Sequence, residues 1–158
     1  MSLQLRLFRP GDLEAVVGIF TDSVHGLATA FYDERQRGAW APEEPDLDAW
    51  RTRLAGMNVL VAEDNGVLCG FLGYEPNGHL DLLYTASRSA RRGVASSLYM
   101  QVEAGWRAAG VPRAFAEVSL AARAFFDRQG FVVVTEEHVE RRGVIFTRFA
   151  MEKWLSQN

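Results

Sequence analysis

The chain has 158 residues, of which 48% are hydrophobic and 23% charged, and its formal net charge is −3. These proportions are typical of a globular protein and give no electrostatic reason to expect nucleic acid binding. No apolar run approaches the ~20 residues of a membrane helix, and the first ten residues lack the apolar core of a secretion signal. Because Cys69 is the single cysteine, no intramolecular disulfide can form, and we expect a cytoplasmic protein.

The order of predicted elements indicates one domain over residues 1–158. Leu3–Arg9 alternates as a strand does, and Asp12 is expected to cap a first helix. Residues 25–53 have a helical pattern, which Gly38 and two prolines are expected to divide into short pieces.

The middle of the chain carries the clearest strand signals. Met57–Asp64 and Val67–Glu75 flank Asn65-Gly66, a dipeptide typical of hairpin turns, and His79–Thr85 predicts the next strand. Residues 91–109 have helical spacing, and a short strand, a short helix and a last pair of strands follow. Hairpins mixed with strand–helix–strand crossovers predict an α/β (α+β) fold, a mixed sheet with helices on both faces.

A polar turn, Arg91–Ser96, opens the long predicted helix. The first amides of a helix have no partners within it, and the helix dipole favours an anion beside them. Gly93 and the small residues after it would let a diphosphate approach, and Arg88, Arg91 and Arg92 add positive charge. On spacing alone, an ordinary helix start with solvated arginines is the better interpretation, because short glycine-containing turns are common.

Two sequence blocks together resemble the GNAT superfamily of N-acetyltransferases. In that superfamily a Leu-x-Val strand end leads into Gln/Arg-x-x-Gly-x-Gly/Ala; Leu83–Thr85 and Ala90–Ala95 are similar, with Thr85 replacing Val and Ala90 replacing Gln or Arg. Ser119–Phe131 resembles the later block Asn-x-x-Ala-x-x-Leu-Tyr-x-Lys-x-Gly-Phe. The resemblance spans nearly the whole chain and implies a mixed, mostly antiparallel, twisted sheet of about seven strands.

The resemblance also implies an enzyme that transfers an acetyl group from acetyl-CoA to a primary amine. The amine would attack the thioester directly in a ternary complex, without a metal. Backbone and side-chain groups of the strand end, the turn and the second block would hold acetyl-CoA. The expected residues are Leu83, Tyr84, Thr85, Arg91, Arg92, Gly93, Val94, Ala95, Ser96, Ser119 and Phe126.

Three residues are the expected catalytic groups. Phe126 stands where many members have the tyrosine that protonates the leaving thiolate, so Tyr84, another hydroxyl or a water is expected to do so. A thiol has a pKa of about 8.5, so losing this acid should slow such an enzyme without silencing it. Glu117 is the first candidate for the general base and Asp81 the second; for each, a surface or ion-paired carboxylate is an equal alternative.

The acceptor site of the superfamily is built by the regions that correspond here to residues 25–50 and 136–148. Tyr32, Trp40 and His138 are the expected acceptor-binding residues, although packing is the commoner role of aromatic side chains. Carboxylates near them suit a cationic amine, whereas Arg141 and Arg142 suit an anion.

The class of acceptor therefore stays open. A small-molecule amine is favoured over a protein N-terminus or lysine, and a non-catalytic acyl-CoA sensor is a third alternative. Superfamily members are often dimers, so a homodimer is one open alternative, although the sequence does not indicate the oligomeric state. Neither nucleic acid nor membrane is an expected partner.

Overall fold

The computed structural model describes residues 2–156, which contain seven strands in one sheet. The strands are β1 (Leu3–Leu7), β2 (Asn58–Asp64), β3 (Val67–Tyr74), β4 (His79–Thr85), β5 (Arg113–Ser119), β6 (Val132–Arg141) and β7 (Val144–Trp154). Their spatial order is β1-β2-β3-β4-β5-β7-β6. Only β4 and β5 run parallel, and all other neighbours are antiparallel. The predicted mixed, mostly antiparallel sheet is confirmed.

Five α-helices cover the two faces of this sheet. They are α1 (Leu13–Leu27), α2 (Glu34–Trp40), α3 (Leu47–Ala55), α4 (Val94–Ala108) and α5 (Arg123–Arg128). The helix α4 buries Leu98 and Trp106 on one face, and α1 buries Val16 and Phe20 on the other. Because side chains alternate along a strand, β3 supplies both cores. None of the helices in residues 2–156 has the length and apolarity to span a membrane.

Two predicted boundaries differ from the structure. The carboxylate of Asp12 accepts hydrogen bonds from the Arg6 guanidinium at 2.8 and 3.0 Å and from the Arg9 amide at 2.8 Å. It therefore closes a short 3-10 turn, Pro10–Asp12, and its side chain does not cap α1. Gly38 lies inside α2 and does not interrupt it. The helix begins with a reciprocal cap, in which the side chains of Asp33 and Gln36 each accept a hydrogen bond from the other residue's amide.

The strand β4 carries a bulge at Asp81. Its register with β3 steps from Gly73 opposite Leu82 to Tyr74 opposite Leu80, so Asp81 has no partner. Leu80 consequently packs in the α4 core, whereas Leu82 packs in the α1 core. A bulge reverses the alternation of side chains and twists the strand locally.

The parallel contact between β4 and β5 is short. It consists of His79 opposite Phe115 and Leu80 opposite Ala116. Both strands continue beyond these pairs without bonding each other, so the sheet opens like a fork between Asp81 and Glu117. This fork is the feature of the fold that positions the site.

The hydroxyl group of Tyr32 ties three segments together beside the fork. It donates to the carbonyl of Thr147 and accepts from the amide of Leu120, both at 2.9 Å, and Tyr32 is only 3% exposed. The loop before α2, the strand β7 and the end of β5 are thereby held in one arrangement.

Replacing Tyr32 by phenylalanine is expected to lower the free energy of unfolding by about 1–3 kcal/mol, because a buried amide and carbonyl lose their partner. Chemical denaturation followed by circular dichroism measures this. Tyr74→Phe is the matched control, since the Tyr74 hydroxyl has no hydrogen-bond partner among residues 2–156. Equal stability of the two variants would contradict the bridging role of Tyr32.

Candidate active site

The turn before α4 has the backbone of an anion cradle. Arg91 and Gly93 have positive φ angles of 62° and 81°, and α4 begins directly after them. In the described part of the chain no side chain caps α4, and Ser97 is its first residue whose amide has a backbone partner, the carbonyl of Gly93 at 3.0 Å. A Cβ atom built on Gly93 meets no heavy atom within 4 Å, so the space before these amides is open. The turn therefore fits a diphosphate.

Side chains around this turn have different roles. Val94 is 1% exposed and packs against Gly70, so it can offer a ligand only its amide. Arg91 and Arg92 are exposed beside the cradle. Arg88, in contrast, donates to the carbonyl of Leu68 at 2.8 Å and holds the loop to β3. Ala95 is half-buried, as is Ser96, whose hydroxyl accepts from Gln129 at 3.4 Å.

Beyond the turn, the fork opens into a cleft of about 380 Å³ between β4, β5, the first three helices and the β6–β7 hairpin. Half of the residues expected in the site line it, together with several arginines. The predicted residues that line the cleft are Tyr32, Trp40, Asp81, Leu83, Tyr84, Glu117, Ser119 and Phe126. The arginines are Arg53, Arg148 and the two that the sequence suggested for an anion, Arg141 and Arg142. Thr85 ends β4 at the other side, towards the cradle.

Aromatic rings form one wall of this cleft. The ring of Trp40 lies 5.4 Å from that of Tyr32 and 6.2 Å from that of Tyr84, and Phe20 is 4.9 Å from Tyr84. Burial raises the pKa of Tyr84, so its hydroxyl keeps its proton near neutral pH. The wall suits a ligand with an apolar or aromatic portion.

At the back of the cleft, packing fixes two residues of the second sequence block. Phe126 is 3% exposed and meets Phe131 edge-on at 5.0 Å, so it forms part of the core as well as the cleft surface. The hydroxyl of Ser119 accepts from the amide of Ala122 at 3.2 Å and keeps its own proton for another partner. Because the side chain of phenylalanine has no ionisable group, neither Phe126 nor Phe131 can transfer a proton.

Cys69 has no access to the cleft. It is 1% exposed within β3, and burial raises the pKa of its thiol. A thiol that is buried and protonated is a poor nucleophile. A covalent acetyl-cysteine on this chain is therefore disfavoured.

Glu117 belongs to a chain of three charged side chains at the base of the fork. Its carboxylate lies 2.8 Å from Nε2 of His79, and Nδ1 of His79 lies 2.6 Å from Glu75. The imidazole stacks on Phe115 with ring centroids 5.0 Å apart. The hydrogen bond to Glu117 raises the pKa of His79 to about 9, and the same bond lowers the pKa of Glu117.

In the sequence, His79 is simply the first residue of the predicted strand His79–Thr85. No spacing rule indicates its pairing with Glu117, because the two residues are 38 positions apart. The parallel register of β4 with β5 brings them together, and that register is a property of the sheet. The sequence alone shows a histidine, the side chain that ordinarily titrates nearest neutral pH, and a glutamate in a later predicted strand.

Two further predicted residues, Asp81 and His138, have surroundings that differ from those of Glu117. Asp81 lines the cleft and lies 3.4 Å from Arg53, so it is partly neutralised. His138 was predicted in the acceptor site, and the structure corrects this. Alternation along β6 turns Val139 into the cleft and His138 to the opposite face, where it contacts Glu136 at 3.1 Å and Thr147 at 3.2 Å.

Comparison with known proteins agrees with this architecture. Residues 29–153 match the sequence model of the Acetyltransferase (GNAT) domain. An uncharacterized N-acetyltransferase of Escherichia coli K12, YafP, is 33% identical over 150 residues, which is 95% of each chain. The chain belongs to the GNAT acetyltransferase family. Among residues 2–156 of this GNAT protein, no cluster of three or more acidic, histidine or cysteine side chains could hold a metal ion.

Solved structures show the same fold. A GCN5-related N-acetyltransferase from Rhodopseudomonas palustris has a TM-score of 0.93 and 28% identity, covering 98% of this GNAT chain and 96% of its own. The acetyltransferase YncA of Salmonella typhimurium, solved with acetyl-CoA, has a TM-score of 0.71 and 20% identity, with coverage of 100% and 96%.

Replacing Gly93 by glutamate is expected to weaken acetyl-CoA binding at least about tenfold, because a side chain and a negative charge enter the space before the α4 amides. Isothermal titration calorimetry measures the affinity. Gly110→Glu is the control: Gly110 also has a positive φ, 77°, and open space around its Cβ position. It lies beyond the other end of α4, roughly 22 Å away at 1.5 Å per residue. Unchanged affinity in the Gly93 variant would rule out the cradle.

His79 is expected to stabilise the fold in a defined pH range. Its pKa is raised to about 9 from 6.5, so its contribution is complete below pH 6.5 and is lost as pH rises through about 9. The contribution of Glu117, whose pKa is lowered, is complete above pH 4.5 and is lost at more acidic pH. The ion pair therefore contributes fully to stability between pH 4.5 and pH 6.5.

His79→Gln should accordingly lower the free energy of unfolding by about 1.5–3 kcal/mol at pH 5.5 and much less above pH 9. Denaturation at several pH values tests this, and an NMR titration of the imidazole should give a midpoint near 9. His138→Gln is the control, because His138 is also bonded to a glutamate but its side chain is 59% exposed. A His79 midpoint near 6.5 would exclude the pair in solution.

Proposed function

We propose that this GNAT protein transfers the acetyl group of acetyl-CoA to a primary amine of a small molecule, by direct attack in a ternary complex. The observation that carries the proposal is the fork between β4 and β5. It connects the anion cradle at the start of α4 with a cleft that holds Glu117 and Asp81. One ligand can lie along the cradle while a second enters the cleft, and the two meet where the strands separate.

On the cofactor side, the chain would hold acetyl-CoA through the α4 amides, with Arg91 and Arg92 beside the diphosphate. Backbone groups from Leu83 to Thr85 would contact the pantetheine arm along the unpaired part of β4. Ser119 and Phe126 would border it from the β5 side. Acetyl-CoA supplies an activated acyl group, and the buried Cys69 leaves direct attack as the simpler route.

The amine must lose a proton, and we propose that Glu117 and His79 accept it as a pair. A lone carboxylate is a poor base for an ammonium group whose pKa is about 8–10. The pair has a much better match, because His79 titrates at about 9. Glu117 faces the cleft and would take the proton; where His79 is neutral, above its own pKa, Nε2 of His79 would in turn receive the proton from Glu117. Glu75 holds the other ring nitrogen.

The remaining catalytic roles go to Tyr84 and Asp81. Tyr84 keeps its proton and borders the fork, so it is our candidate donor to the leaving thiolate, in place of the tyrosine that Phe126 replaces. Asp81 leaves the strand ladder at the bulge and faces the amine side of the cleft, where a carboxylate would attract a cationic acceptor. The nearby Arg53 moderates this attraction.

The shape of the cleft supports a small acceptor over a peptide. The α2 region closes one end: Gln36 donates to the carbonyl of Ile145 at 3.1 Å, and Arg142 donates to the carbonyl of Ala39. These contacts join α2 to the β6–β7 hairpin. The volume of about 380 Å³ lies in the range of small-molecule sites.

A homodimer and a cytoplasmic location stay predictions. The outer strand β6 exposes Val132 and Val134 by 59% and 56%. An apolar edge strand is a common place for another chain to pair.

Glu117→Gln is expected to lower kcat about a hundredfold or more, because the proton acceptor in the cleft is lost, while acetyl-CoA affinity stays unchanged. Release of CoA thiol across a panel of amines, amino acids and peptides measures turnover.

In the wild type, kcat/KM should rise with pH up to about 9, the pKa of His79, since the protonated pair cannot accept the amine's proton. In the His79→Gln variant, the rise of kcat/KM should have its midpoint at a different pH.

Glu136→Gln is the matched control, because Glu136 also contacts a histidine but lies outside the cleft. Equal turnover in the Glu117 and Glu136 variants would remove Glu117 from the reaction. Tight acetyl-CoA binding with no thiol release on any acceptor would overturn the transferase proposal and favour the sensor. Turnover on peptides alone would overturn the small-molecule acceptor.

A further inference from the structure

The charged groups of the cleft are not distributed evenly. Most of its arginines already have partners. Arg53 contacts Asp81 at 3.4 Å, Arg148 donates to Glu137 at 2.9 Å, and Arg142 is bonded to a backbone carbonyl. Arg141 is the exception: in the part of the chain that the structure describes, it has neither a hydrogen bond nor an ion pair.

The backbone around Arg141 is held in place. Arg141 is the last residue of β6, and the next two residues, Arg142 and Gly143, have φ angles of 49° and 76°, as in a tight two-residue hairpin turn. The bond from Arg142 to Ala39 ties this turn to the end of α2. Alternation along β6 places Arg141 on the same face as Val139, and both line the cleft.

Arg141 lies close enough to the aromatic wall for its charge to act on it. Its positive charge acts to lower the pKa of both Tyr32 and Tyr84, against the larger effect of burial. Arg141, Tyr32 and Tyr84 all line the cleft.

The cleft therefore has two charged ends. Glu117 and Asp81 lie at the fork, where the amine would react, and Arg141 lies at the hairpin, with Tyr32, Trp40 and Phe146 between them. The planar guanidinium group is suited to binding a carboxylate through two parallel hydrogen bonds. A molecule with an amine at one end and a carboxylate at the other would match both ends.

We propose that Arg141 forms a carboxylate subsite and that the acceptor is an amine with a carboxylate at its far end, such as an ω-amino acid or the side-chain amine of lysine. This inference rests on the proposed acetyl transfer to an amine, and it adds the second charge of the acceptor. Tyr32, Trp40 and Phe146 contact the portion of the acceptor between its two charged groups. The acceptor is thus oriented with its amine towards the fork.

The test compares acceptors that differ only in the carboxylate. 6-Aminohexanoate and L-lysine are paired with their decarboxylated amines, pentylamine and cadaverine, and kcat/KM is measured for each. Amino acids should be the better acceptors. Arg141→Gln should raise KM for the amino acids about ten- to a hundredfold, as expected for the loss of a charge-assisted hydrogen bond, and leave the decarboxylated amines unaffected.

Arg35→Gln is the control, because Arg35 is an exposed arginine of α2 that does not line the cleft. It should preserve the preference for amino acids. Equal effects of the Arg141 and Arg35 variants, or a preference for the decarboxylated amines in the wild type, would overturn the subsite.

A binding experiment separates failure of the subsite from failure of the transfer reaction. 6-Acetamidohexanoate and 6-acetamidohexanamide have no free amine, so their binding, followed by ligand-observed NMR, does not require turnover. Stronger binding of the carboxylate, lost in Arg141→Gln, supports the subsite even if no amine is acetylated; in that case the proposed function alone fails. Equal or absent binding of the two probes overturns the subsite.

Discussion

The short parallel contact between β4 and β5 is the constraint on which the rest of the site depends. Two residue pairs hold the strands together, and beyond them each strand leaves backbone groups without a partner in the sheet. Such groups need other partners or water, since unpaired buried amides and carbonyls cost free energy. The same separation gives Asp81 and Glu117 room to face a common space. Cofactor contact and acceptor contact thus arise from one interruption of the sheet.

The bulge at Asp81 works together with this separation. Without it, Leu80 and Leu82 would lie on the same face, and the two cores could not both be filled from β4. With it, Leu80 seals the α4 core and Leu82 the α1 core, while Tyr84 reaches the aromatic wall. The strand is therefore anchored on both faces at the point where its ladder to β5 ends. Anchoring of this kind keeps an open fork from collapsing.

Much of the fold could be predicted from the sequence because its signals are local. Asn65-Gly66 sets the β2–β3 hairpin, and the predicted strand His79–Thr85 has the bounds that the structure shows. The contact of His79 with Glu117 could not be predicted, since it depends on a parallel register between distant segments. The misplacement of His138 has a related cause, because the face of β6 that it occupies follows from pairing with β7.

The β6–β7 hairpin pairs with the sheet through β7 alone, and no strand of residues 2–156 pairs with the outer side of β6. Arg141 lies at its tip and lines the cleft, whereas the cradle before α4 does not contribute to the lining of the cleft. The two halves of the proposed site are therefore carried by segments that share few contacts. Substitutions or length changes in the hairpin could alter the acceptor that is chosen while the acetyl donor stays the same. In evolutionary terms, this separation lets one cofactor site serve enzymes of different selectivity.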